Sequence, residues 1–325
     1  MCIEESAIAE LVTRDYGIRP IRIRLLGTFW NTTYKVDSDA GESFVLRIAA
    51  PPIKDPATIE NEIYWLNHVS ANSSLLVPHA VEKTDGRWVA ELEVDNDNRL
   101  CCLFRWIEGE SVSGRWPENS LQQIGRMVGT LHSLSQHFDP PPSMVRPAEI
   151  RHSDEAEMQR VRNPEWLDWL IANSDVSRRD LRTLSSATEI VSSELKAPRG
   201  DDREFGLCHG DLHRGNFIVT PHGIAVIDFD QLGWGFFVVE LAWLVSTTVD
   251  LCPLPEHGKR ETCLAAYKRI RGLPFTSERE FDVRVAFFHL LHFDWLHSLS
   301  DPKMRDEHSR TIRTRIDALR DFISK

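Results

Sequence analysis

Residues 206–229 carry short strand and loop signals inside an otherwise helical half, and no other feature restricts the fold of this chain so tightly. Leu207-Cys208 suits a short strand. Phe217–Thr220 and residues 224–227 suit two more, joined by the turn Pro221-His222-Gly223. On either side, apolar residues recur at helical spacing. Leu121, Ile124, Val128 and Leu131 form one stripe of a helix over 121–134, whose Gly125 and Gly129 allow a close helix neighbour. Further helices are expected at 165–172, 176–196, 236–249, 259–271, 278–299 and 309–323. A β-element with polar residues, enclosed by helices, is where chemistry is expected.

The first part of the chain reads differently. After an opening helix, residues 21–26 alternate apolar and basic side chains as a half-exposed strand does. Residues 33–36 and Ser43–Ile48 flank a turn-rich DSDAG link and read as a hairpin. Asp55-Pro56 opens a helix, with Asp as cap and Pro in the first turn. Residues 87–94 and 100–107 complete an antiparallel sheet of about five strands carrying one helix. Glu108-Gly109-Glu110 is a natural joint, dividing an N-terminal lobe, 1–107, from a helical C-terminal lobe, 108–325. The fold class is therefore α+β, with a small antiparallel β lobe and a larger, mainly helical one.

The string LCHGDLHRGNFIVTPHGIAVIDFDQ holds the chemistry. Phosphoryl transfer needs a carboxylate near the attacking hydroxyl, metal ligands at the triphosphate and cations to neutralise it. Asp211 and Asn216 lie five residues apart on a loop with Gly210 and Gly215 beside them. Such a loop can aim a carboxylate at a hydroxyl and an amide oxygen at a metal. Asp228 follows the apolar strand IAVI, and a hairpin would return it beside Asn216. Oxygen-only ligands suit Mg²⁺. Singly, Asp and Asn beside glycine are turn formers; the joint pattern HxDxxxxN, hairpin, Asp is far more specific.

HGDLHRGN followed by IDFDQ resembles the signature of the aminoglycoside phosphotransferase and choline kinase family, itself distantly similar to protein kinases. The resemblance covers nearly the whole chain and implies a protein-kinase-like bilobal fold, with Asp211 as catalytic base and Asn216 and Asp228 holding Mg²⁺. It gives His209, and His213 as part of the same string, a loop-bracing role. Asp230 stands where protein kinases place glycine, giving it either a metal-shell, substrate-side role or a loop-orienting one. Glu240 stands where the family usually shows Asp before Leu-Ala, one methylene longer than the usual loop brace. Arg47 in VLRIA occupies the position of the family's nucleotide lysine and resembles the variation expected of a homoserine kinase type II-like branch. A guanidinium is a planar fork, not a point charge, so that exchange is not neutral. Glu62, at the edge of the apolar stripe Ile59, Ile63, Leu66, Val69, is its expected partner. Gly27, Thr28 and Asn31 belong to the expected phosphate-covering loop, and Phe104, Trp106 and Ile107 to the segment against which the purine of ATP or GTP would lie.

The acceptor is expected to be a hydroxyl on a small molecule, such as an aminoglycoside, an amino alcohol, homoserine or a sugar. FFHLLHFDWLHS places His292 and Asp294 as candidate acceptor contacts, although such an aromatic stripe usually packs as core. Fold resemblance does not choose among acceptors. Three other readings stay open at this point: a Ser/Thr protein kinase, a non-catalytic nucleotide-binding module, and a metallohydrolase using His209, Asp211 and His213. A net charge of −11 disfavours non-specific nucleic-acid binding. Six cysteines without a CxxC pair, no secretory leader and no membrane-length apolar run point to the cytoplasm. Oligomeric state leaves no mark on the sequence.

Overall fold

The computed structural model describes residues 3–28, 30–51, 53, 55–94, 97–112, 116–145, 155–197, 204–253 and 258–325. Cys2 and Phe29 lie outside them. The chain forms two compact units. The first comprises Met1–Glu110, Phe138–Pro147 and Ile218–Leu232; the second comprises Ser111–His137, Ala148–Phe217 and Gly233–Lys325.

In the first unit, α1 (Glu5–Tyr16) precedes β1 (Pro20–Gly27), β2 (Thr32–Ser38) and β3 (Ser43–Ile48). Then come α2 (Pro56–Asn72), β4 (Val89–Val94) and β5 (Asp97–Arg105). The five strands form an antiparallel sheet in the order β1-β2-β3-β5-β4. Ile8, Leu11 and Val12 of α1 pack with Val36, Phe44, Leu46 and Leu103 of the sheet as one apolar cluster. α2 begins as its sequence dictates: Asp55 accepts the Ala57 N–H at 3.0 Å, and Pro56 costs no bond in the first turn. Two strand ends differ from expectation. β4 starts at Val89, not 87, because the Asp85 side chain captures the Arg87 N–H in a turn. β5 stops at Arg105, and the Trp106 indole turns to Glu108 at 2.8 Å. β6 (Glu110–Ser111) is a two-residue strand at the boundary, and β8 (Phe217–Thr220) and β9 (Gly223–Val226) form the expected hairpin. Ala225 bridges in parallel to Leu76.

The second unit contains β7 (Phe205–Cys208) and β10 (Gly233–Phe236), paired antiparallel. The sequence pattern had assigned no strand to the glycine-containing β10. Its helices are α3 (Ser120–Ser135), α4 (Glu155–Arg162), α5 (Glu165–Asn173), α6 (Arg178–Glu194), α7 (Phe237–Leu244), α8 (Lys259–Lys268), α9 (Glu278–Ser298), α10 (Pro302–Ser309) and α11 (Ile312–Ser324). α4 and α10 were not foreseen: both are strongly polar, and α10 buries no residue, so neither shows a clear apolar stripe. Gly125 and Gly129 of α3 face α8 and its end so closely that a Cβ at Gly125 would overlap the carbonyl of Cys263. α9 is the core helix, with Phe287, Phe288, Leu290 and Phe293 all buried. No helix of the described residues is long and apolar enough to cross a membrane.

Candidate active site

In the first unit, a cavity of about 300 Å³ is lined by Leu26, Val45, Arg47, Glu62, Phe104, Trp106, Ile107, Ile227 and Asp228 among others. Strand alternation turns Val45 and Arg47 to this side of β3, whereas Phe44 and Leu46 enter the core. Arg47 pairs bidentately with Glu62, and its Nη1 also stands 3.7 Å from Asp228 Oδ1. Both partners of the pair are buried, Arg47 at 7% and Glu62 at 3% exposure. Burial alone would lower the Arg47 pKa; the carboxylate of Glu62 overrides it and holds the guanidinium protonated, well above its ordinary value. The sulfur of Cys102 lies in the same surroundings, and burial pushes its thiol up to about 12.

Asp228 is the one non-glycine among the described residues with positive φ, at 67°. That region costs an L-residue energy and tends to persist where function needs the geometry. Two residues on, Asp230 accepts the Asn31 side-chain N–H at 2.8 Å, while Asn31 Oδ1 accepts the Ala50 N–H at 3.1 Å. Asp230 thus tethers the loop after β1. Gly27 ends that strand, and Thr28 is exposed.

In the second unit, the loop between β7 and β8 holds His209, Asp211, His213 and Asn216. Gly210 adopts φ 87°, a left-handed turn that suits glycine, and its N–H donates to Glu240 Oε1 at 2.7 Å. Glu240 Oε2 contacts His132 Nε2 at 2.8 Å, and His132 Nδ1 contacts the Tyr267 hydroxyl at 2.8 Å. The extra methylene of Glu240 therefore still reaches the loop. Burial lowers the His132 pKa, with Glu240 opposing; as the neutral tautomer, its Nε2–H donates to Glu240 and its Nδ1 accepts from Tyr267. His132 was not foreseen as part of this brace. The signal was a lone imidazole beside an apolar stripe in LHSL, which needs partners once buried.

Within the loop, His209 is buried and its Nδ1 accepts the Asp211 N–H at 3.2 Å. Asn216 donates its side-chain N–H to the Asp211 carbonyl at 2.9 Å, which leaves Oδ1 as the atom able to ligate. The Asp211 carboxylate is part-exposed, 3.4 Å from His213 Nε2. Taken singly, Asn216 Oδ1 in this unit and the carboxylate of Asp228 in the first are oxygen donors of the kind that a hard cation such as Mg²⁺ takes. His209, Asp211 and His213 form no metal cage: the one cluster of metal-ligating atoms within 4.8 Å among the described residues is His132, Cys208 and Glu240. His132 and Glu240 there are already engaged with Tyr267, Gly210 and each other.

On α9, Asp294 is buried and paired with Arg160 at 2.7 Å. His292 approaches Thr311 Oγ1 at 3.3 Å and packs with tilted rings against Trp295 and His308. Burial, with Arg315 next, drives its pKa well below the ordinary imidazole value.

Comparison with known proteins finds similar sequences and similar folds. The amicoumacin kinase of Bacillus subtilis (strain 168) is 25% identical over 245 residues, 74% of this chain and 67% of that one. Among solved structures, a microcompartment-associated aminopropanol kinase aligns with TM-score 0.74 at 24% identity, covering 98% of both chains. An amicoumacin kinase in complex with AMP-PNP, Ca²⁺ and Ami aligns with TM-score 0.70 at 18% identity, covering 98% of this chain and 94% of that one. Likeness at that identity speaks for the fold. Residues 23–273, most of the chain, match the phosphotransferase enzyme family, so the chain belongs to that family and is a small-molecule phosphotransferase.

Proposed function

We propose that the protein transfers the γ-phosphate of ATP or GTP to a hydroxyl of a small molecule, with an amino alcohol or an amine-bearing antibiotic as the leading acceptor class. One observation carries the nucleotide half of this reading. The buried Arg47–Glu62 pair and Asp228, in a left-handed backbone conformation, line one cavity with Phe104, Trp106 and Ile107. A fixed cation beside an acidic residue on an apolar wall is what a nucleotide phosphate and its base require. The acceptor class follows the relatives, an aminopropanol kinase and an amicoumacin kinase.

In this mechanism Asp211 accepts the proton of the acceptor hydroxyl as its oxygen bonds to the γ-phosphorus. The bond from that phosphorus to the β–γ bridging oxygen breaks, and the nucleoside diphosphate leaves. Arg47, oriented by Glu62, offsets charge on the phosphates. Asn216 and Asp228 would hold Mg²⁺, which supplies further charge neutralisation when bound. Phe104, Trp106 and Ile107 would hold the base, and Gly27, Thr28 and Asn31 would cover the phosphates, with Asp230 orienting Asn31. His292 and Asp294 are proposed to shape the acceptor side from α9 through their contacts with Trp295 and Arg160. The cytoplasm is the proposed compartment, in keeping with five described cysteines that form no disulfide.

The test is an acceptor panel of amino alcohols, aminoglycosides, amicoumacin and sugars with radiolabelled ATP and GTP, run with and without EDTA. Transfer that needs Mg²⁺ and disappears in Asp211→Asn, with nucleotide binding retained, is expected. Full activity in Asp211→Asn would overturn the assigned base. Nucleotide binding without transfer to any acceptor would favour the non-catalytic reading.

A further inference from the structure

After α7 the helix widens into a π turn, Val245–Val249. Asp250 N–H donates to Val245 O at 2.9 Å instead of to Ser246 O, its partner in a regular α-helix. The Ser246 carbonyl this relieves accepts from Arg315 Nη1 of α11 at 3.2 Å. Arg315 is buried and also donates to His289 Nδ1 at 3.1 Å, and His289 Nε2 in turn contacts Asp250 at 2.8 Å. A buried guanidinium in this place has a definite task, which is to satisfy the carbonyl that the widened turn leaves open.

The widened turn has a consequence for the loop that carries Asp211. Thr247 and Thr248, adjacent and buried, both direct their hydroxyls at one atom, the carbonyl oxygen of Leu212, at 3.0 and 3.2 Å. Consecutive side chains of an α-helix diverge by about 100°, and the wider turn reduces that angle, so neighbours can share a target. Thr247 is also 2.7 Å from Trp243 O, the back-bond that a helical threonine makes by default. Its single proton serves one acceptor at a time, whereas Thr248, among the described residues, has Leu212 alone as acceptor. Leu212 directly follows Asp211, so fixing its carbonyl fixes the peptide next to the proposed base.

We propose that Thr247 and Thr248 are positioning residues for Asp211, acting through the Leu212 carbonyl, with Arg315 holding the π turn that presents them. The inference rests on the assignment of Asp211 as base. It is tested with Asp211→Asn, the pair Thr247→Val/Thr248→Val, the single Thr248→Val and the pair Thr247→Ser/Thr248→Ser. Transfer from radiolabelled ATP is followed to aminopropanol, and to water should that acceptor give no product, alongside thermal unfolding. The valine pair is expected to lose about tenfold or more in kcat with KM for ATP within about twofold, and the serine pair to recover most of it. Wild-type activity in Asp211→Asn sinks the base assignment itself. An inactive Asp211→Asn with a valine pair at wild-type kcat sinks only the positioning role. Should the valine pair unfold, Thr248→Val decides by the same kcat criterion, and failure of serine to rescue kcat overturns the proposal.

Discussion

Glu240 accepts the Gly210 N–H at 2.7 Å with one carboxylate oxygen and meets His132 Nε2 at 2.8 Å with the other. One buried side chain thus joins α7, α3 and the loop that carries Asp211. Glu240→Ala would leave the buried His132 donor and the part-buried Gly210 N–H without this acceptor, at about 1–3 kcal/mol for the buried one and less for the other. A fall in thermal stability and a larger fall in kcat are expected. Glu240→Asp, one methylene shorter, should retain one of the two contacts and fall between. Calorimetry and steady-state rates on the two variants check this order; stability within about 0.5 kcal/mol of wild type in Glu240→Ala would contradict it.

Arg47 and Glu62 should separate stability from nucleotide binding. Arg47→Met strands a carboxylate that is 3% exposed, a change that typically costs about 3–5 kcal/mol. Arg47→Met/Glu62→Met removes both charges and should recover much of that stability without restoring ATP affinity. Denaturant unfolding and nucleotide titration on the same samples read the two effects. Equal stability of the single and double variants would show that the pair carries no such burial penalty.

Asn31 and Asp230 should couple. Their contact is part-buried, and a double-mutant cycle through Asn31→Ala and Asp230→Ala is expected to give about 0.5–1.5 kcal/mol of interaction in ATP binding. Either single variant should raise KM for ATP more than it lowers kcat. Strict additivity would mean that the tether does not organise the loop for nucleotide.

Acid should loosen the second unit. Burial, opposed by Asp250, lowers the His289 pKa from 6.5 to about 4. The unfolded chain therefore binds more protons than the folded one between those values, and stability rises with pH across that window. The contribution is fully present above pH 6.5 and is lost as pH falls through about 4, a change on the order of 3 kcal/mol. His289→Gln, which keeps a donor toward Asp250, should flatten the melting-temperature profile over pH 4–6.5. An unchanged slope would place the acid sensitivity elsewhere; buried His132 and half-buried His292, both with lowered pKa values, are the next groups to substitute.

The sequence by itself determined which segments become strands and helices wherever a side-chain period is strong: Ser43–Ile48 by alternation, Ser120–Ser135 by its apolar stripe, Pro56–Asn72 by its Asp-Pro start. It also marked Asp211, Asn216 and Asp228, because carboxylates and amides at that spacing beside glycine form a rare pattern. Only the tertiary structure decided the supports. That Glu240 reaches Gly210, that Arg315 satisfies Ser246, and that two threonines meet Leu212 are contacts across 30, 69 and about 35 residues of chain. A local pattern cannot encode such partners, since a buried polar group announces that it needs one but not where in the fold it will be found. The polar helices α4 and α10 escaped for the related reason that packing and caps, not their own periodicity, hold them helical.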